Sequence, residues 1–290
     1  MKIIETHIVP ATAEKIRLQE YAVSIFKSIT TRSGIKKAIK KELILMDGLP
    51  AKTSDWIREG QKIELLQPQP ASSKHFELKL EILYEDEFLA LVNKPAGFPT
   101  SGNYFRTVQN ALPYNLKASG QIDKLPEPLP AHRLDNPTSG ILVCAKTRGA
   151  LIELQKQFEE KKIQKIYTAL VHGTPNKIRE ITGEIDGKPA RTRVELIETY
   201  KIGNADFSLI KAFPETGRTH QIRIHLANEN HPIVGDKIYG NEETGPFQKK
   251  NLFLFSGGIS FTHPIKGERL TFELRLPKKF RKLKDLKESP

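Results

Sequence analysis

Apolar residues along this chain fall at helical spacing in some stretches, alternate in others, and run together in a few. Leu18, Tyr21, Ala22 and Ile25 share one helical face, and Ile35, Ala38 and Ile39 repeat the pattern in a second short helix that Ser33-Gly34 would start. Short strands are predicted over 43–46 and 62–66, with Asp47-Gly48 turning the chain between them. The polar, proline-punctuated stretch from Gln67 to Ser73 has almost nothing to bury and reads as an extended linker. Strands follow at 78–84 and 88–92, then an irregular connection over 113–130 that carries Pro113, Pro126, Pro128 and Pro130. The run Ile141-Leu142-Val143-Cys144-Ala145 has turn residues before it, as a buried strand does. Leu151, Leu154 and Phe158 predict an amphipathic helix over 149–162. Further strands are expected at 163–171, 191–197, 207–212, 252–261 and 269–276. Between 219 and 228 the pattern fits two elements. Ile222 and Leu226 share a helix face, with Thr219 as N-cap, yet Ile222, Ile224 and Leu226 also alternate. Residues 231–240 read as a loop, and the basic stretch 278–287 as an end that packs no core.

Composition narrows the class. With 38% apolar and 28% charged residues over 290 positions, the chain can fold and bury a full core. No stretch approaches the roughly 20 apolar residues of a membrane span. Glu5, His7 and Pro10 interrupt the first segment, so no secretory leader is expected and a cytoplasmic location is the simplest reading. The single Cys144 sits in the apolar strand as a small hydrophobe. His220 and His225 are five apart, not the four of a helical zinc pair, and no glycine-rich phosphate loop is present. Lysine and arginine outnumber the acids by 46 to 34, and the net charge of +12 points to a polyanionic partner.

Three stretches carry chemistry. His132-Arg133-Leu134-Asp135-Asn136-Pro137-Thr138-Ser139-Gly140 sets one carboxylate on a turn at the rim of the predicted strand, where a rigid element would present it. The plainer alternative is that Asp135 caps its own turn. Tyr167 lies in the 163–171 strand. Arg223 follows the Thr216-Gly217-Arg218-Thr219-His220 turn. Lys94 ends the 88–92 strand, ahead of Pro95-Ala96-Gly97.

The run SGIKKAIKKELILMDGLPAKTSDWIREGQKIEL resembles the S-four-like RNA-binding module, a basic helical hairpin with a short sheet. Arg32, Lys36, Lys37, Lys40 and Lys41 form an acid-free row there, the footprint expected for phosphate contact. A solvated lysine face is the plainer reading of such a row.

Taken together, HRLDNPTSGILVCAK, KIYTALVHG and ETGRTHQIRIHLANENHPIVGDKIYG resemble the RluA-type family of pseudouridine synthases, in its ribosomal large-subunit branch. The resemblance implies an α+β fold: an RNA-binding domain at 1–66, a linker at 67–75, a catalytic domain on a mostly antiparallel sheet at 76–278, and a basic tail at 279–290. It implies isomerisation of uridine in RNA, in which the bond from sugar to ring nitrogen breaks and the base rejoins through its fifth carbon. Asp135 matches the essential aspartate, nucleophile or base towards the sugar. Tyr167 matches the tyrosine that stacks on the base and is implicated in removing the final ring proton, and Arg223 matches the basic partner of the aspartate. Arg133 matches the residue that fills the gap left by the extruded nucleotide.

His132, Leu134, Ile222 and Arg218 are expected around the substrate, with Lys36, Lys37 and Lys40 on the RNA-binding face. Ribosomal RNA is the favoured partner and transfer RNA the alternative, with no obligatory protein partner. Isomerisation implies no cofactor and no metal. Extruding a base costs roughly a few kcal/mol, and stacking it on an aromatic ring returns roughly 1–3. Two departures from the family pattern, Asn136-Pro137 and Phe98-Pro99, fall near the expected cleft. The competing classes are a non-catalytic RNA-binding protein of the same fold and a metal-dependent hydrolase. The second needs clustered ligands that the sequence lacks.

Overall fold

The computed structural model describes residues 3–11, 16–29, 31–67, 75–175, 178–240, 247–283 and 285. The chain divides into two compact units, Met1–Lys74 and His75–Pro290. Most of the predicted linker, 68–74, lies outside the described residues.

The first unit comprises β1 (Ile3–Ile8), α1 (Leu18–Ile25), α2 (Arg32–Lys40), β2 (Ile44–Met46), β3 (Leu49–Pro50) and β4 (Lys62–Leu66). Its antiparallel sheet has the order β1-β4-β2-β3. Helix α2 begins earlier than the Ser33-Gly34 signal suggests, because the Thr31 hydroxyl accepts the Gly34 N–H at 3.1 Å and caps the first turn. Leu18, Ala22, Ile35 and Ile39 meet Ile44 and Ile63 in the core, while Lys36, Lys37 and Lys40 stay exposed. Strand β1 was not expected. Ile3, Ile4 and Ile8 remain exposed, so no buried face shows in its pattern; pairing with β4 holds it, helped by Glu5, which accepts the Lys27 and Ser28 N–H groups, and by His7, 2.8 Å from the Tyr21 hydroxyl.

The second unit is mixed α+β. Its elements are β5 (Glu81–Glu85), β6 (Leu89–Lys94), α3 (Val108–Asn115), β7 (Lys124–Pro130), β8 (Ser139–Thr147), α4 (Arg148–Glu159) and β9 (Gln164–His172). They continue with β10 (Ile178–Ile185), β11 (Lys188–Ile202), β12 (Ala205–Pro214), α5 (Gln221–Asn228), β13 (Leu254–Thr262), β14 (Arg269–Glu273) and α6 (Lys278–Arg281). One sheet runs β10-β11-β12-β9-β13-β8-β6-β5, with β7 paired to β8 and β14 to β13. Every pairing is antiparallel except β8 with β13.

The unbroken apolar run of β8 has a simple cause, since both of its faces are covered. Ile141, Val143 and Ala145 pack with Leu154 of α4, whereas Leu142 and Cys144 pack with Val108 and Leu112 of α3. The expected irregular connection over 113–130 is instead ordered at both ends. Pro113 lies inside α3, and the three later prolines fall in β7, an outer strand that meets β8 at only a few positions and tolerates missing N–H donors. The basic end is also more than a tail. Phe280 and Leu283 are buried against the cluster holding Phe253 and Phe255, because these two apolar residues share a face among the surrounding lysines and arginines.

One lateral register prepares the site. Gly140 pairs with Ser256, and Ser256 pairs with Tyr167, so the start of β8 and the tyrosine lie two strands apart in one row. At Gly140 φ is +124°, and a Cβ there would sit 2.1 Å from the Ser256 carbonyl oxygen. Gly140→Ala is therefore expected to destabilise this unit by about 3 kcal/mol. Urea unfolding followed by circular dichroism measures it, since the one tryptophan, Trp56, belongs to the other unit. A loss below about 1 kcal/mol would show that the strands can part without penalty.

Candidate active site

Asp135 sits on the turn that leads into β8. The Asp135 carbonyl, not its carboxylate, accepts the Thr138 N–H at 3.0 Å and closes that turn. Beneath it lies Lys94, at the end of β6 and fully buried. Its ammonium donates to the carbonyls of Pro95 (3.1 Å), Asp135 (3.2 Å), Asn136 (3.2 Å) and Thr138 (2.8 Å). Burial pulls Lys94 down to about 8, and the charge on Asp135 opposes that shift. The Thr100 hydroxyl grips Leu134 from the other side, accepting its N–H at 3.1 Å and donating to its carbonyl at 2.9 Å. The backbone carrying Asp135 is thus tied down at the Leu134 N–H and at the carbonyls of Leu134, Asp135, Asn136 and Thr138.

The carboxylate faces α5. Oδ2 of Asp135 is 3.6 Å from Nη1 of Arg223, and Oδ1 is 3.9 Å from Nε2 of His220. Arg223 is only 3% exposed and gives its other donors to Asp236, Nε to Oδ2 at 2.7 Å and Nη2 to Oδ1 at 2.8 Å. Burial opposes the charge on each partner of this pair. The Arg223 bond outweighs it at Asp236, helped by the N–H groups of Ile238 and Tyr239, and keeps that acid below the ordinary carboxylate value. The same pairing, with Asp135 behind it, raises Arg223 despite its burial. Its guanidinium also lies 5.1 Å from the centre of the Tyr239 ring.

The segment 219–228 resolves as helix, but its N-cap is His220 rather than the expected Thr219. His220 has φ 55° and ψ 20°, a left-handed conformation that costs an ordinary side chain about 1–2 kcal/mol, and makes no side-chain cap bond. Gln221 holds the strained turn in place. Its carbonyl oxygen accepts from the Thr216 hydroxyl (2.6 Å) and the Arg218 N–H (3.0 Å), and its amide donates to the Arg191 carbonyl (2.9 Å) and the Thr192 hydroxyl (3.0 Å). The His220 Nδ1 lies 3.0 Å from the Tyr239 hydroxyl.

Asp135, Arg223, Tyr167, His132, Arg133, Leu134, Ile222 and Arg218 all line one cleft of about 560 Å3. Burial, with the nearby Asp135 charge adding to it and Ser256 opposing, pushes the Tyr167 phenol up to about 12. Arg133 is exposed, and Arg218 is half-buried with Nε on the Pro189 carbonyl at 3.2 Å. Leu134 and Ile222 are buried packing residues at the cleft edge. Lys36, Lys37 and Lys40 are in the first unit, on the exposed face of α2.

His132, expected around the substrate, lines the cleft and is also held by the framework. Its Nε2 accepts the Val143 N–H at 3.0 Å and its ring lies 4.7 Å from that of Phe158. Burial, helped by the Lys165 charge, drops it to about 3, so it is a neutral framework group. A base with a lowered folded pKa binds fewer protons than the unfolded chain. Stability is therefore expected to fall as the pH drops from about 6.5 towards about 3. His132→Gln should remove this one-proton uptake from the pH dependence of the urea midpoint. An unchanged slope would assign the uptake to carboxylates instead.

Sequence reasoning did not find Asp236, Tyr239, Thr100 or Lys165. Lys165 donates to the Thr216 carbonyl at 3.2 Å, and burial lowers it to about 8. Two buried charges in short polar motifs, Lys94-Pro95 and Gly235-Asp236, were the available signal.

A family model described as RNA pseudouridylate synthase matches residues 89–228, which hold Asp135, Tyr167 and Arg223. The chain belongs to the RNA pseudouridine synthase family, whose members are isomerases. An RNA pseudouridine synthase of Aquifex aeolicus, its particular role uncharacterised, is 33% identical over 97% of this chain and 96% of that protein. Ribosomal large subunit pseudouridine synthase D of Neisseria meningitidis is 32% identical, covering 85% of this chain and 72% of its own length. Among solved structures, human RNA pseudouridylate synthase domain containing 4 shares the fold, with a TM-score of 0.58 at 22% identity, over 72% of this chain and 94% of that one.

Proposed function

We propose that this synthase isomerises particular uridines in large-subunit ribosomal RNA, with Asp135 as the essential carboxylate and no cofactor. The observation that carries the reading is Asp135 itself, 3.6 Å from a buried arginine inside a cleft that also holds Tyr167. Relatives named as ribosomal large subunit synthases C and D support the choice of RNA. So does the surplus of 46 basic over 34 acidic residues.

In this reading Asp135 acts on the ribose of an extruded uridine. Arg223 stabilises charge beside it, and the neutral Tyr167 ring stacks on the base. Arg133, exposed at the cleft, enters the space that the base leaves. The N-terminal unit, whose sequence resembles the S-four-like module, docks the RNA through Lys36, Lys37 and Lys40. The atoms balance without a further reagent: the N1–C1′ bond breaks, a C5–C1′ bond forms, and one proton leaves C5 while one joins N1. No helix among the described residues is long and apolar enough to cross a membrane, and in this reading the enzyme works in the cytoplasm.

The test is incubation of the purified protein with unmodified total RNA, with pseudouridine mapped by carbodiimide adducts that stop reverse transcription. Stops confined to large-subunit RNA are expected, unchanged by a metal chelator. Stops only in transfer RNA would overturn the substrate assignment, and loss of all stops on chelation would overturn the cofactor-free chemistry.

A further inference from the structure

We propose that the loop 101–106 is a stacking platform for an unpaired base that flanks the target uridine, with Tyr104 as the ring the base lands on. The inference rests on the RNA reading above. It concerns how the substrate is selected and assigns no step of the chemistry.

The loop springs from the catalytic turn. Thr100 holds Leu134 by its N–H and its carbonyl, and Leu134 precedes Asp135. Tyr104 is four residues beyond Thr100, at most about 14 Å of chain from that grip. All six residues from Ser101 to Arg106 are exposed, Tyr104 at 71% and Phe105 at 52%. A single exposed apolar side chain is ordinary. Two adjacent aromatic rings beside an active-site turn are not, and base stacking gives them a use.

The loop is also braced, as a platform has to be. Both of its feet are pinned, by the Val108 N–H on the Pro99 carbonyl and the Gln109 N–H on the Thr100 carbonyl, each at 2.9 Å. The Asn110 side-chain amide donates to the carbonyls of Tyr104 (3.2 Å) and Phe105 (2.9 Å). Phe105 stands edge-on to Phe76, 5.9 Å between ring centres, and Phe76 and Phe98 pack on the cluster beneath α3. Gly102 backs the Tyr104 ring, since a Cβ there would lie 3.7 Å from Cδ2. Such rings have little freedom left to lose when a base docks.

Charge favours nucleic acid as the occupant. The Arg106 guanidinium lies 5.6 Å from the centre of the Phe76 ring. From Phe88 to Ile122 the chain holds no acid, and its cations are Lys94, Arg106 and Lys117. The adjoining stretch 75–80 adds one acid, Glu77, and one base, Lys79. Open rings next to a cation suit a base and its phosphate. A ring face accepts any base, so the platform selects for an unpaired neighbour and not for a sequence.

The test uses the full chain and the fragment of unmodified total RNA that it protects from nuclease, so that finding the fragment needs no catalysis. 2-Aminopurine, which dims when stacked, replaces each unpaired position of the fragment in turn. Wild type and Tyr104→Phe should both dim one position. Tyr104→Ala should leave that position bright and raise Kd on the order of 10-fold or more, with KM rising in step. Pairing the same nucleotide within the RNA should weaken wild type and leave Tyr104→Ala as it was. The bonds that brace the loop use the Tyr104 carbonyl, so these variants keep them. Equal Kd for wild type and Tyr104→Ala would overturn the platform and leave the loop to a protein partner. Equal losses in Tyr104→Phe and Tyr104→Ala would overturn it too, by showing a hydroxyl contact in place of stacking. A protected fragment of transfer RNA with the same Tyr104-dependent dimming would overturn the ribosomal assignment and leave the platform standing.

Discussion

Asp135→Asn is expected to lower pseudouridine formation on the order of 10⁴-fold while leaving the fold and RNA affinity unchanged. The substitution keeps the size of the side chain and removes only its charge. The turn survives, because the bond that closes it runs from the Thr138 N–H to the Asp135 carbonyl, and Lys94 also grips the backbone rather than the carboxylate. What disappears is the anion 3.6 Å from Arg223 and 3.9 Å from His220. Single-turnover assays on the mapped RNA, with a urea midpoint and a filter-binding isotherm, separate these effects. Activity within tenfold of wild type would remove Asp135 from the chemistry.

The second large effect is expected at Asp236. It is buried and neutralises a buried arginine through two short bonds. Asp236→Ala leaves Arg223 with the more distant Asp135 as its remaining acidic neighbour, and breaking a buried pair from one side costs about 3–5 kcal/mol. The freed guanidinium should also swing towards Asp135 and spoil the geometry of the cleft, so kcat should fall along with stability. Replacing both members, Asp236→Ala with Arg223→Met, should recover much of the stability and none of the activity. Urea unfolding of the two single variants and the double variant measures the coupling. Additive losses would mean that the pair does not act as a unit.

Parts of this architecture are legible residue by residue. The covered strand β8 announces itself as five apolar residues in a row, because packing on both faces removes any alternation. Helix α4 shows the opposite case, one buried face and one wet face, and Thr147 caps it by accepting the Ala150 N–H. Helix α5 hides its character. Gln221, Arg223 and His225 are buried although polar, so its apolar stripe is incomplete and a strand fits equally well. Thr192, the partner of Gln221 and His225, comes from a distant strand, and Asp236, the partner of Arg223, follows the helix in the same motif, so only folding shows that they pair.

By itself the sequence determined the period of most elements, the basic balance, and the three motifs that carry Asp135, Tyr167 and Arg223, because spacing and composition are local properties. The tertiary structure alone decided that these three motifs share a cleft. It did so through a lateral register, Gly140 to Ser256 to Tyr167, that no pattern within a single strand encodes. It also decided which polar groups are buried and paired. Lys94 beneath the turn and Asp236 behind Arg223 acquire their places only through contacts that folding makes, with residues 41 and 13 positions away in the chain. Such contacts set the electrostatics of a site, since the charge a buried side chain keeps depends on the partner that folding supplies.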